Sequence, residues 1–138
     1  MIVLDTNVLS EPLRPSPSTK VLDWMRSQPN TVLFTTTITE AELLYGIAFL
    51  PRGKRRDLLK SVVERMFAVH LAGRVLPFDN AAARDYADIA AVRRRSGRPM
   101  SEPDARIAAI ARSRGAELAT RNVADFAGCE LEVINPWL

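Results

Sequence analysis

The sequence contains one cysteine, Cys129, and one histidine, His70. A lone thiol cannot build a disulfide framework, and the two residues together cannot supply a Cys/His zinc site. Isolated as it is, Cys129 reads as a small packed residue rather than a nucleophile, and a reducing, cytoplasmic setting fits. No run of about 18 apolar residues occurs, so no membrane span is expected. The first residues lack the positive stretch and apolar core of a secretory leader. Repeats, linkers and low-complexity tracts are missing as well. What is present, over 138 residues, is 47% hydrophobic and 25% charged. That is the composition of a globular chain able to bury a core, expected as a single domain over 1–138.

Nor is there a strong excess of charge. Nineteen basic against 16 acidic residues leave a net charge of +3, compatible with a polyanionic partner but not diagnostic of one. The distribution is more informative. Arg52, Lys54, Arg55 and Arg56 cluster in "PRGKRR", and Arg93, Arg94, Arg95 and Arg98 in "VRRRSGRP". A cation near a helix C-terminus is favoured by the macrodipole, so solvated helix ends account for such clusters as readily as a phosphate-binding surface does.

The chain opens "MIVLDTN". Three aliphatic residues in a row read as a strand buried on both faces of a parallel sheet. Asp5 then falls where that strand ends, at the edge where open α/β sheets gather their ligands; helix N-capping is the simpler account of it. A short helix over 6–12 and a proline-rich connector follow, and then a helix over 18–27 capped by Ser18. "TVLFTTT", 31–37, reads as a strand. Residues 39–50 read as a helix with Thr39 as N-cap and Glu42 at capping-box spacing. Residues 54–69 read as an amphipathic helix burying Leu58, Val62, Met66 and Val69. Residues 74–78 are a short strand. A helix over 79–95 carries Asp79 as cap and turns Ala82, Ala83, Tyr86, Ile89 and Ala90 inward. "SEPDARIAAIARSRG", 101–115, has a capping serine, a first-turn proline and a terminal glycine. Strands at 117–120 and 131–134 complete the series. Strands alternating with helices predict an α/β fold, a three-layer α/β/α sandwich with a mostly parallel sheet of four or five strands.

In that architecture Asp5, Glu42, Asp104, Asn122 and Asp125 all fall at starts of segments that can meet on the carboxyl edge of the sheet. Taken one at a time, acids in first turns are explained by the helix dipole. Taken together, they predict a shared pocket. Carboxylates brought that close repel one another and hold protons near neutrality unless a cation intervenes. With no histidine cluster for zinc, the cation would be a hard, oxygen-ligated one such as Mg²⁺ or Mn²⁺, which leaves water positions free for substrate phosphates. Divalent ions in such pockets activate water and stabilise a phosphodiester leaving group.

Four stretches, "MIVLDTNVLSE", "TEAELLYGI", "PDARIAAIA" and "TRNVADF…INPW", in that order and covering nearly the whole chain, resemble the PIN-domain family. The likeness is greatest to its VapC/FitB-like branch of type II toxin–antitoxin toxins. The resemblance implies a compact α/β/α fold and a Mg²⁺- or Mn²⁺-dependent endoribonuclease acting on RNA. Its acidic positions fall on Asp5, Glu42 and Asp104. The fourth follows a T-x-D pattern in the family, whereas this chain reads Thr120-Arg121-Asn122. An amide can ligate an ion but brings no charge and cannot act as a base; Asp125 is then the candidate for the missing charge. Thr6, Asn7 and Thr39 match positions expected to orient phosphate or water. Arg52, Lys54, Arg55, Arg56, Arg93, Arg94 and Arg95 are candidates for RNA-backbone contacts. The resemblance further implies a VapB-like antitoxin that places a basic side chain among the acids, a homodimer, and binding of operator DNA only through the antitoxin complex.

Other classes stay open on the residues alone. A haloacid-dehalogenase-type phosphatase needs a second acid two positions after the first, where this chain has Asn7. A receiver-type signalling module needs an acid pair after its first strand, which "LDTN" lacks. A noncatalytic nucleic-acid-binding module needs only the basic clusters.

Overall fold

The computed structural model describes every residue, Met1–Leu138. Five strands, β1 (Ile2–Leu4), β2 (Leu33–Thr36), β3 (Val75–Leu76), β4 (Glu117–Ala119) and β5 (Val133–Ile134), form one sheet. Their order is β3-β2-β1-β4-β5, and every pairing is parallel. Six helices connect them: α1 (Thr6–Ser10), α2 (Thr19–Ser27), α3 (Thr37–Ala48), α4 (Lys54–Arg65), α5 (Asn80–Arg95) and α6 (Glu102–Ser113). This is the expected α/β/α arrangement.

The alternation of side chains along β1 shows why its sequence is continuously aliphatic. Val3 packs into one core with Leu118, Ile89, Ile107 and Ile110, on the α5–α6 side. Ile2 and Leu4 point the other way, into a second core with Val8, Val21, Ile47, Val63 and Phe67, on the α1–α4 side. A strand buried on both faces has no polar face to show. On α6, Ala105, Ala108, Ala109 and Ala111 are buried, and their small side chains let α5 and the sheet approach closely. No helix is long and apolar enough to cross a membrane.

The structure departs from the sequence reading in several places. Residues 30–32 form a 3₁₀ turn before β2, and α3 begins at Thr37. Its N-cap is Thr36, whose hydroxyl accepts the Thr39 backbone N–H at 3.1 Å, so Thr39 is not the cap and Glu42 sits in the second turn. The buried stripe of α4 is turned by one residue from the expected one. Val63 and Phe67 are inside, while Leu58 is 66%, Val62 41% and Val69 56% exposed. The chain leaves α4 through a π-type turn over Met66–His70, closed by the Leu71 N–H donating to the Met66 carbonyl at 2.8 Å. On α5, Ala82 and Ile89 are buried, and Ala83 faces solvent.

Candidate active site

Because β2, β1 and β4 are neighbours and parallel, the segments leaving their carboxyl ends emerge side by side. The β1–β4 ladder runs one residue past the strand, with the Asp5 N–H donating to the Ala119 carbonyl at 2.9 Å. Asp5 then caps α1, so the capping reading and the site reading describe the same residue. Its side chain is oriented by two donors. The Thr6 N–H reaches Oδ1 at 2.8 Å, and the Thr120 hydroxyl reaches Oδ2 at 2.7 Å. Asp5 is only 5% exposed. Burial raises its carboxyl from 3.8 to about 6; the hydrogen bonds from Thr120 and Thr6 oppose the shift, and the charges of Asp104 and Glu42 add to it.

Glu42 is exposed, but it is held. The Thr6 hydroxyl donates to its Oε1 at 2.8 Å. Thr6 Oγ1 stands 3.0 Å from Thr39 Oγ1, and the Thr36 hydroxyl donates to Thr39 at 3.5 Å. With Thr6 spending its proton on the carboxylate, the donors order as Thr36 to Thr39 to Thr6 to Glu42. Thr39 is fully buried, so its expected role toward solvent or phosphate is displaced by this one.

Asp104 lies in the first turn of α6, where the Ser101 hydroxyl oxygen accepts its backbone N–H at 3.3 Å. Its carboxyl is also raised, first by burial and then by the charge of Asp125, with Ser101 opposing. Asn122 follows β4; its N–H donates to Thr120 Oγ1 at 3.2 Å. Its carbonyl accepts the Asp125 N–H at 3.0 Å, closing the 3₁₀ turn Val123–Phe126. Thr120 thus bridges Asp5 and the start of the Asn122 turn. Asn7 uses its side-chain carbonyl to accept the Arg121 N–H at 3.3 Å, tying the loop after β1 to the loop after β4.

The structure therefore couples Asp5 to Glu42 and Asp104, and Asp104 to Asp125, through their charges. It does not draw any three acid, histidine or cysteine side chains into a ready cage for an ion. The donor set is nonetheless all oxygen, partly desolvated and short of positive charge, which suits Mg²⁺ or Mn²⁺ and not zinc. The other buried acid, Glu11, is 3% exposed. It accepts the Ser18 N–H and pairs with Arg14, interactions that keep its carboxyl below the ordinary range and fix the proline-rich connector.

Two grooves of roughly 300 Å³ meet at Glu42. One runs between α1, α3 and α4 past Arg14, Leu43 and Arg55; the other lies between α3 and α6 beside Tyr45, Glu102 and Arg106. Arg52, Lys54 and Arg55 are exposed at the start of α4, with Arg56 partly so; Arg94 and Arg95 are exposed at the end of α5. Arg93 is not among them. It is 7% exposed, and it donates from Nε to the Arg98 carbonyl at 2.6 Å and from Nη1 to the Asp125 and Ala127 carbonyls at 2.8 and 2.9 Å. A guanidinium so buried and turned to backbone carbonyls stands apart from the exposed cationic surface, and the expectation for Arg93 is corrected accordingly. Sequence reasoning gave no role to Thr120, which holds Asp5, or to Thr36, which backs the Thr39–Thr6 chain to Glu42. Their signal was position alone, each a threonine closing a strand.

Comparison with known proteins identifies the family and the fold. The family model described as PIN domain matches residues 2–127. The chain is 46% identical to plasmid stability protein StbB of Pseudomonas syringae pv. tomato, over 99% of each chain. It is 44% identical to VapC ribonuclease Y4jK of Sinorhizobium fredii, over 99% of this chain and 98% of that one. It is 39% identical to toxin FitB of Neisseria gonorrhoeae, over 99% of each. The solved structure of FitAB bound to an IR36 DNA fragment superposes with a TM-score of 0.94 at 38% identity, covering 100% of this chain and 96% of that one.

Proposed function

The chain belongs to the PIN-domain family, and from that premise we propose that it is a metal-dependent endoribonuclease, the toxin of a toxin–antitoxin pair. The observation that carries the reading is Asp5. It is an acid 5% exposed at the carboxyl edge of a parallel sheet, its carboxyl raised to about 6 by burial and by Asp104 and Glu42. Its hydrogen bonds cap α1 and bind Thr120, yet burial still disfavours its charge, and a desolvated acid at a sheet's carboxyl edge marks a site suited to a positive ligand.

Asp5, Glu42 and Asp104 would hold a Mg²⁺ or Mn²⁺ ion, with Asn122 contributing its amide oxygen and some of the set acting through water, as Mg²⁺ commonly requires. Such an ion supplies water activation and neutralises charge developing on the phosphoryl group. The chain's own residues do the rest. Thr120 and Thr6 fix both Asp5 oxygens, and Thr6 backed by Thr39 fixes Glu42. Asp125, exposed beside Asp104, can take up a proton, which the Asn122 amide cannot do. Arg55 lines the groove that reaches Glu42, and with Arg52, Lys54, Arg56, Arg94 and Arg95 it would bind flanking RNA phosphates without reading sequence.

The inhibitory partner would be a small antitoxin that seats a basic side chain among the acids, since a guanidinium can stand where the ion's charge would. The solved FitAB assembly, described as bound to DNA, supports a toxin that meets operator DNA only within the complex. A homodimer and a cytoplasmic site of action complete the proposal. The test is cleavage of a labelled RNA by the purified chain with Mg²⁺ or Mn²⁺. Cleavage is expected to stop with EDTA and in Asp5→Ala and Asp104→Ala, while circular dichroism stays that of the wild type. Undiminished cleavage in both variants refutes the assignment of these acids, and a wild-type chain that binds the RNA but does not cut it with either ion leaves a noncatalytic nucleic-acid-binding module.

A further inference from the structure

Arg93 is a buried cation whose donors go to backbone carbonyls rather than to a carboxylate. Burying such a charge is costly unless it is fully hydrogen-bonded, and a methionine would fill the same space in a helix without that cost. The three carbonyls it selects are not scattered. One belongs to Arg98, just past the end of its own helix, where Gly97 at φ 74° reverses the chain and the Arg98 N–H returns to the Arg93 carbonyl at 2.9 Å. The other two belong to Asp125 and Ala127 and flank Phe126, which is 2% exposed and sits in the core beneath α6. Phe126 is buried in the core, and Arg93 holds the carbonyls on either side of it. That turn begins at Asn122, which is tied to Asp5 through Thr120, and it carries Asp125, whose charge is felt at Asp104.

We propose that Arg93 is a positioning residue of the acidic site: by clamping the Asp125 and Ala127 carbonyls to α5, it fixes Asn122 and Asp125 against Asp104. Arginine suits this task because its planar fork can address several carbonyls from one fixed orientation. The clamp belongs to the same helical layer as Asp104, since Arg112 of α6 pairs with Asp85 and Asp88 of α5. The proposal rests on the cation-binding reading of the acids given above.

The test uses the full chain with Arg93→Gln and with Arg93→Lys, which keeps the charge but cannot reach three carbonyls. The first arm is amide hydrogen exchange in metal-free buffer. In Arg93→Gln, exchange over 122–127 is expected to accelerate while the β1 and β4 amides keep wild-type protection. The second arm is Mn²⁺ affinity read by electron paramagnetic resonance. A loss of about 10–100-fold is expected for Arg93→Gln, as for outer-shell partners of metal ligands generally, with part of it recovered in Arg93→Lys. The third arm is Arg93→Gln combined with Asp125→Asn, which is expected to cost little more than the greater of the two single losses. Wild-type exchange at the turn, wild-type Mn²⁺ affinity in folded Arg93→Gln, or fully additive losses overturn the proposal. So does unfolding of both variants, which would make Arg93 a residue of the fold alone. If the wild-type chain binds no Mn²⁺ and cuts no RNA, the nuclease reading fails, and the exchange arm still decides whether the clamp exists.

Discussion

Replacing Asp5 by asparagine should stabilise the metal-free protein at neutral pH, and the size of the effect follows from its surroundings. In the folded chain the carboxyl is raised from 3.8 to about 6. At about 1.36 kcal/mol per pKa unit, keeping it ionised in the folded state costs about 3 kcal/mol. The sign is that of an acid whose folded-state value lies above its unfolded one. The cost is fully present above about pH 6, fades as pH falls through the interval, and is gone below about 3.8. Asparagine removes the charge but gives up one good hydrogen bond. Its amide oxygen can accept the Thr6 N–H, while its NH₂ must face Thr120, whose hydroxyl donates to Asp5 in the wild type at 2.7 Å. That exchange costs ~1 kcal/mol. The variant should therefore be more stable by about 2 kcal/mol near pH 7.5 in EDTA, with the advantage vanishing near pH 4.5. Urea denaturation of both proteins across this range measures it, and taking their difference cancels the titrating groups remote from Asp5, leaving Asp5 and the Asp104 and Glu42 charges coupled to it. A variant less stable than the wild type at pH 7.5, or a difference independent of pH, refutes the placement of Asp5 in a desolvated acidic pocket.

Other consequences are direct. Ser101→Ala removes the acceptor of the Asp104 N–H; it should cost about 1 kcal/mol in urea melts, as for N-caps generally, and should lower cation affinity because Asp104 loses its anchor. Ile107→Ala opens a hole at a site with 0% exposure; a loss of roughly 2–5 kcal/mol is expected in the same assay. Neutralising Arg52, Lys54, Arg55 and Arg56 with glutamine should weaken binding to single-stranded RNA in EDTA. The plot of log affinity against log salt should flatten by roughly 0.7 for each phosphate that the cluster no longer neutralises. An unchanged slope would place that cluster outside the RNA path.

What could be read in advance divides along physical lines. β1 was legible because a strand buried on both faces leaves an unbroken aliphatic run, with Asp5 able to stand only at its end. The α6 helix was legible because Ser101, Pro103 and Gly115 mark its ends by mechanisms local to the chain, and Gly115 does adopt φ 63°. Where the sequence repeats a chemistry, the choice passes to tertiary packing. Thr35, Thr36, Thr37 and Thr39 offer nearly the same hydroxyl, and only the meeting of β2 with α1 decides that Thr36 caps while Thr39 backs Thr6. Leu58-Leu59 and Val62-Val63 present two apolar stripes on α4 one residue apart, and the sheet takes the one containing Val63. Arg93, Arg94 and Arg95 are indistinguishable by composition, yet only Arg93 turns inward to the Asp125 carbonyl. For the candidate site, the acids were legible by type and position. The threonines that aim them were not, because a buried hydroxyl leaves no periodic signature.

The cost borne by Asp5 also bounds how tightly a proposed ligand would have to bind in order to offset it. A ligand that recognises only the folded chain stabilises it by RT ln(1 + [L]/Kd), which reaches about 2.7 kcal/mol at a concentration about 100 times Kd. Offsetting roughly 3 kcal/mol at Asp5 therefore requires a cation present at more than about 100 times its dissociation constant, or a tethered positive side chain with an equivalent local concentration. A small protein partner that buries a guanidinium in the pocket meets this condition more readily than a weakly held, hydrated ion. In a thermal melt, then, Mg²⁺ near its Kd should move the midpoint only slightly, because RT ln 2 is about 0.4 kcal/mol. Mg²⁺ at about 30 times its Kd should bring the wild type level with metal-free Asp5→Asn, since RT ln(1 + [L]/Kd) then reaches about 2 kcal/mol, and should leave that variant's own midpoint unmoved. If Mg²⁺ raises both proteins equally, it is bound somewhere other than beside Asp5.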